Sequence, residues 1–101
     1  MAGLVNLASA PPPPQNVGIV NADLGYDTTL RWQAPASAGQ VAGYYVLIRE
    51  TTASRWERKL FVGNVTETTL RGISKDDFFF ALQSVDAAGH ESEIVWPRPV
   101  R

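Results

Sequence analysis

Few residues in this chain have the side chains that chemistry needs. His90 is the one histidine, and there is no cysteine, so no thiol nucleophile and no thiolate metal site exists. A catalytic zinc takes about three protein ligands, usually with imidazole or thiolate among them. His90 lies in a Gly-containing turn beside Glu91, the setting of a solvated loop histidine. Asp76 and Asp77 are adjacent carboxylates, but neighbours at a strand entry point apart and serve turn formation better than acid–base work. Asp86, Glu91 and Glu93 supply oxygens near one turn, without the spacing of an EF-hand loop. Ser84 falls on an inward strand position with no histidine placed to activate it. No Gly-x-Ser-x-Gly elbow, phosphate loop or metalloprotease helix motif occurs.

Two further motifs bear on binding and modification. Residues 55–59, RWERK, set Trp56 among Arg55, Arg58 and Lys59. An aromatic among cations can grip an anion, a sugar or a strand of nucleic acid, which makes Trp56, Arg55 and Arg58 the candidate ligand-binding residues. The same pattern also guards an edge strand with charge. Residues 64–66, NVT, form an N-glycosylation sequon, a signal with meaning only in a eukaryotic secretory pathway.

The bulk numbers narrow the class. A length of 101 residues is one domain's worth. Nine basic and ten acidic residues leave a net charge of -1, which argues against a nucleic-acid partner, since phosphate recognition needs a basic surface. No apolar run approaches the roughly 20 residues of a membrane span. The opening MAGLVNLASA has a small-residue end like a signal cleavage site but no basic residue before it, so the tail of a preceding element is the expectation. Pro11 to Pro14 form a stiff polyproline spacer, which divides the chain into a tail and linker over 1–14 and a domain over 15–101.

Within that domain apolar residues keep period two. Leu30 and Trp32 alternate with Thr29 and Arg31; Tyr44, Val46 and Ile48 with Tyr45, Leu47 and Arg49; Phe78, Phe80, Leu82 and Ser84 with Phe79, Ala81, Gln83 and Val85. Seven such segments are separated by turn-rich links, ending with residues 92–96, SEIVW, which Pro97 and Pro99 stop. The pattern predicts an all-β, seven-stranded sandwich of immunoglobulin type.

PPPPQNVGIV, TTLRW with Trp32, GYYVLIRE with Tyr44 and Val46, Leu70, and FFFALQSVDAAGHES with Gly89 together resemble a fibronectin type III domain over about residues 11–97. That family usually carries a tyrosine where this chain has Phe78, so the corner before that strand is expected to hold by packing alone. More narrowly, APPPPQNVGIV, TTLRW, GYYVLIRETTASRWE, VGNVT and ISKDDFFFALQSVDAAGHES together look like the domain trailing bacterial zinc-dependent aminopeptidases of the twenty-eighth metallopeptidase family, with GLVNLASA resembling the last helix of the catalytic domain. The resemblance implies a non-catalytic accessory domain of a secreted or periplasmic peptidase. Zinc would then sit in the parent's catalytic domain, with no cofactor in this one. The bacterial setting gives the sequon no role.

Tyr45, Leu47, Phe79, Ala81 and Val85 share the outward face of one sheet, whereas Thr29, Arg31, Glu67, Thr69 and Arg71 make the other sheet's outward face wet. A contiguous apolar patch marks a contact surface. The five residues are therefore expected to dock the parent's catalytic domain or a second copy, or else to be covered by Leu4 to Leu7. The competing class is a carbohydrate- or surface-binding module.

Overall fold

The computed structural model describes residues 10–20, 26–36 and 38–98. The expected cover by Leu4 to Leu7, residues 3–9 of the helix-like GLVNLASA and the stop at Pro99 lie outside the described residues. Six strands form: β1 (Gln15–Ile19), β2 (Thr28–Gln33), β3 (Gly43–Glu50), β4 (Arg58–Gly63), β5 (Glu67–Leu70) and β6 (Phe78–Val85). They make two antiparallel three-stranded sheets, ordered β1-β2-β5 and β4-β3-β6. The links β2–β3, β4–β5 and β5–β6 each pass from one sheet to the other, so the chain closes a sandwich.

The core follows from the alternation. Leu30 and Trp32 of β2, Tyr44, Val46 and Ile48 of β3, Leu70 of β5, and Phe80 and Leu82 of β6 are all buried in one cluster. The Trp32 and Tyr44 rings meet edge-to-face at 5.5 Å, one from each sheet, and so bridge the two layers. Ser84 is fully buried, and its hydroxyl meets no hydrogen-bond partner among the described residues.

The seventh segment departs from expectation. Residues 92–96 make isolated bridges rather than a strand. Val95 exchanges both backbone hydrogen bonds with Leu82, at 2.8 and 2.9 Å. Ser92 is the reason for the irregularity: its hydroxyl accepts from the Ser84 N–H at 2.9 Å and donates to the Glu93 carbonyl at 2.8 Å. A side chain thus takes the place of a ladder carbonyl, and the pairing slips by one residue between the Glu91–Val85 and Val95–Leu82 bridges. Past Pro97, which has no N–H to give, Arg98 donates to the Val17 carbonyl at 2.8 Å and runs parallel to β1. Residues 95–98 therefore cross from one sheet to the other.

The corner before β6 does not rest on packing alone. Thr28 Oγ1 donates to the Ile73 carbonyl at 2.6 Å, and the Asp27 carboxylate accepts from the Gly72 N–H at 2.8 Å. Gly72 itself takes a positive φ of 72°, which suits a residue without Cβ. The start of β2 thus supplies the hydrogen bonds that the family's tyrosine would give, and Phe78 is left to pack half-buried against the core. The proline run is not a free spacer either, since Pro11 and Pro14 are buried on the domain.

Candidate functional site: the outer face of the β4-β3-β6 sheet

The outward positions of β3 and β6 carry the candidate site, and the register shows what meets what. Tyr45 faces Gln83 and Phe61, Leu47 faces Ala81 and Lys59, and Arg49 faces Phe79. Of the five residues expected to line a contact surface, Leu47, Ala81 and Val85 are buried within the domain. They share the face of Tyr45 and Phe79 but present little surface. Tyr45 is half-buried and Phe79 is 40% exposed.

Much of the face is covered by the chain itself, and Arg49 organises the cover. Its guanidinium stands 4.7 Å from the Phe79 ring centroid, 5.3 Å from that of Trp56 and 5.8 Å from that of Trp96. It also hydrogen-bonds the Ala53 carbonyl, which ties the β3–β4 hairpin back on the sheet. Trp96 lies 5.1 Å from Trp56 and edge-to-face with Phe79 at 6.0 Å. Each cation–π contact of this kind is worth about 0.5–1 kcal/mol where exposed and more where water is excluded. Trp56 is therefore engaged by Arg49 and Trp96 rather than standing as a free platform. Arg55 and Arg58 are exposed, with Arg58 opening the sheet's edge strand β4.

A second cluster lies further along the same face. Phe61 meets Tyr45 edge-to-face at 5.6 Å and lies over Gly43, where an added Cβ would come within 2.5 Å of the ring. The Lys59 ammonium sits 4.4 Å from the Tyr45 ring and pairs with Glu91. On this face the rings that remain open to solvent are Phe61 at 58%, Trp96 at 48% and Phe79, with the exposed Ile94 two residues before Trp96.

Phe61, Ile94 and Trp96 were not singled out by the sequence reading, although the signal is present. Phe61 alternates with the half-buried Leu60 and Val62, and Ile94 and Trp96 alternate with Val95, which packs on the core. Counting period two through KLFVG and SEIVW places all three outward.

His90 and Asp86 form a structural lock. His90 Nδ1 meets Asp86 Oδ2 at 2.9 Å, while Asp86 Oδ1 accepts from the N–H groups of His90 at 2.8 Å and Ala88 at 3.0 Å. Desolvation alone would raise the Asp86 carboxyl. The hydrogen bonds and charge of His90, with the Ala88 N–H, outweigh that and hold it below the usual 3.8. Its oxygens are thus committed to the turn, and Glu91 is committed to Lys59. Among the described residues no three His, Asp or Glu side chains gather as metal ligands. Asp76 and Asp77 are exposed corner residues, with the Asp76 N–H held by Ser74 Oγ at 3.1 Å.

Comparison with known proteins separates fold from parentage. No protein-family model matches the chain. A probable zinc metalloprotease of Leptosphaeria maculans is 42% identical over 99 residues, covering 98% of this chain and 22% of that protein. One of Pyricularia oryzae is 38% identical over 101 residues, covering 98% and 20%. The chain thus spans about a fifth of the curated relatives it matches, and these are fungal, giving no support to a bacterial setting. Among solved structures, the fn3 domain of the human collagen α-1(XX) chain superposes with a TM-score of 0.68 at 19% identity, covering 92% of this chain and 90% of that one. A titin module from human cardiac muscle gives 0.63 at 25% identity, covering 82% and 83%. The chain is a fibronectin type III-like β-sandwich, similar along nearly its whole length to one segment of much longer proteins named probable zinc metalloproteases.

Proposed function

We propose that this domain is the non-catalytic accessory part of a longer, secreted zinc metallopeptidase of aminopeptidase type, and that it docks on or orients the catalytic domain. The observation that carries this reading is the coverage: some 98% of the chain matches about 20% of proteins named zinc metalloproteases. The residues present do not fit a zinc site, since the single imidazole is bonded to Asp86 and no thiolate exists. Zinc and the hydrolytic machinery therefore belong to the rest of the parent. Tyr45, Phe61, Phe79, Ile94 and Trp96 form the docking face, with Leu47, Ala81 and Val85 as its packed floor.

The test uses the full-length parent, its deletion of residues 15–101, and a Phe79→Asp variant. The parent should contain zinc and release N-terminal residues from peptides, and deletion should lower its thermal stability or activity. Phe79→Asp leaves the fold standing, because the new carboxylate faces Arg49 across the β3–β6 pair, and it should reproduce part of the deletion phenotype. A deletion that changes neither stability nor activity would sink the docking role. A Phe79→Asp domain that unfolds by itself would make Phe79 a core residue. Retention of the isolated domain on a glycan column would favour the sugar-binding alternative.

A further inference from the structure

We infer that Asn64 is an N-glycosylation site, and that this domain carries an N-linked oligosaccharide at the tip of the β4–β5 turn. The inference rests on the secreted setting proposed above. Residues 64–66, NVT, are the one Asn-x-Ser/Thr sequence in the chain, and the middle residue is not proline. Such a sequon is meaningful only where its asparagine reaches the transferring enzyme. Here the geometry grants that access. β4 ends at Gly63, whose φ of 87° turns the chain out of the sheet. Asn64, Val65 and Thr66 are all exposed, and Val65, a large apolar residue, is left 41% open to solvent. The turn lies between the sheets and makes few demands on its side chains, because it is held by the backbone: the Trp32 N–H donates to the Thr66 carbonyl at 2.9 Å. A sugar on the Asn64 carboxamide therefore meets no packing that it would have to displace.

The chemistry is a group transfer that the secretory pathway supplies. Asn64 Nδ2 forms a bond to the anomeric carbon of an oligosaccharide carried on a lipid pyrophosphate. The bond from that carbon to the pyrophosphate oxygen breaks, the lipid pyrophosphate leaves with the electron pair, and the amide gives up one proton. The relatives' source adds the second support, since both are fungal and fungi possess such a pathway, whereas a bacterial setting would leave the sequon silent. The position has a physical consequence as well. Asn64 follows directly on β4, the open edge of its sheet, and a bulky solvated group there hinders edge-to-edge pairing with another chain.

The experiment reads one peptide. Trypsin cutting after Lys59 and Arg71 yields residues 60–71, which contain Asn64 and no other asparagine. The full-length parent is expressed behind a yeast secretion signal, collected from the medium and digested with and without an enzyme that removes N-glycans and leaves aspartate. The expected result is a peptide that appears at its deglycosylated mass, with aspartate at position 64, only after treatment. Asn64→Gln and Thr66→Ala should each abolish the shift while the protein is still secreted. A bare peptide from the secreted wild type overturns the site. Locating the native parent separately, by fractionating a fungus that makes it, tests the secreted setting. A parent confined to the cytosol would overturn that setting and natural occupancy together, while the yeast result still decides whether the turn is a competent acceptor.

Discussion

The two sheets of this sandwich share one core and differ on their outer faces. On β1-β2-β5 the outward residues pair polar with polar across the strands. Thr29 and Thr69 hydroxyls meet at 2.9 Å, and Arg31 Nε meets Glu67 Oε1 at 2.7 Å, with both ionic side chains about half exposed or more. On β4-β3-β6 the outward residues are rings and cations: Arg49 among three aromatic rings, and Lys59 over Tyr45. A face of short polar pairs is complete in water. A face of large rings is only partly closed by its own cations and keeps apolar surface exposed. The contrast shows that a sheet's second face can be covered in cis to a useful degree and still keep apolar surface open to solvent.

The largest effect comes from striking the frame on which both faces depend. Trp32 is buried and bridges to Tyr44 across the sheets, so Trp32→Ala should cost about 3–5 kcal/mol. Such a loss is a large fraction of a small domain's total stability. Urea unfolding of the isolated domain would show it as a lowered midpoint or as a chain already unfolded. A variant that kept wild-type stability would mean that the two layers are held by something other than this core.

Arg49 is the sharpest probe of the aromatic face alone. Arg49→Ala removes the cation from Phe79, Trp56 and Trp96 and the tie to Ala53, and should cost roughly 1–2 kcal/mol. Tryptophan fluorescence should shift as Trp56 and Trp96 gain water. Arg49→Lys keeps the charge but not the flat stacking group, and should recover only part of the loss. An unchanged spectrum would show that the rings hold one another without the guanidinium.

The turn beyond β6 gives the comparison a pH coordinate. Asp86 has a folded pKa below the ordinary 3.8, so its contribution to stability is complete above that value and is lost as pH falls through the lower folded value. Asp86→Asn should make the domain less stable at neutral pH. It should also flatten the acid limb of the stability profile below about 3.8 relative to wild type. Parallel acid limbs in the two proteins would show that the carboxylate contributes no proton-linked stability.

Much of this was legible from residue order, and the misses have physical causes. Period two assigned Trp32, Tyr44, Val46, Phe80 and Leu82 to the core, because burial on one face of a strand fixes the side of every second residue. The same rule put Phe79 outward, where it is. It could not show that Arg49, directly opposite in the neighbouring strand, would stand over that ring, since cross-strand partners depend on pairing rather than on spacing. The seventh strand was overcounted for a similar reason. The alternation in SEIVW is real, but Ser92 uses its hydroxyl in place of the ladder, and composition does not reveal such a substitution. The missing tyrosine at Phe78 pointed to a weaker corner, and the compensating bonds came from Asp27 and Thr28, some fifty residues earlier in the chain.

The smallest predicted effect tests the wet face, and it is the one that can undo the contrast. Arg31 and Glu67 are paired at 2.7 Å with side chains 62% and 48% exposed. Solvent screening and the entropy of holding two long side chains reduce such a pair to about 0–1 kcal/mol. A double-mutant cycle with Arg31→Ala and Glu67→Ala should give a coupling in that range, and it should shrink as salt rises, because the Debye length falls to about 3 Å at 1 M. In the full-length parent neither substitution should alter activity or thermal stability beyond this amount. A larger loss in the parent than in the isolated domain would mean that β1-β2-β5 faces a partner. Reserved surface would then lie on both sides of the sandwich, and the polar pairs would be contacts waiting for their second half rather than a finished exterior.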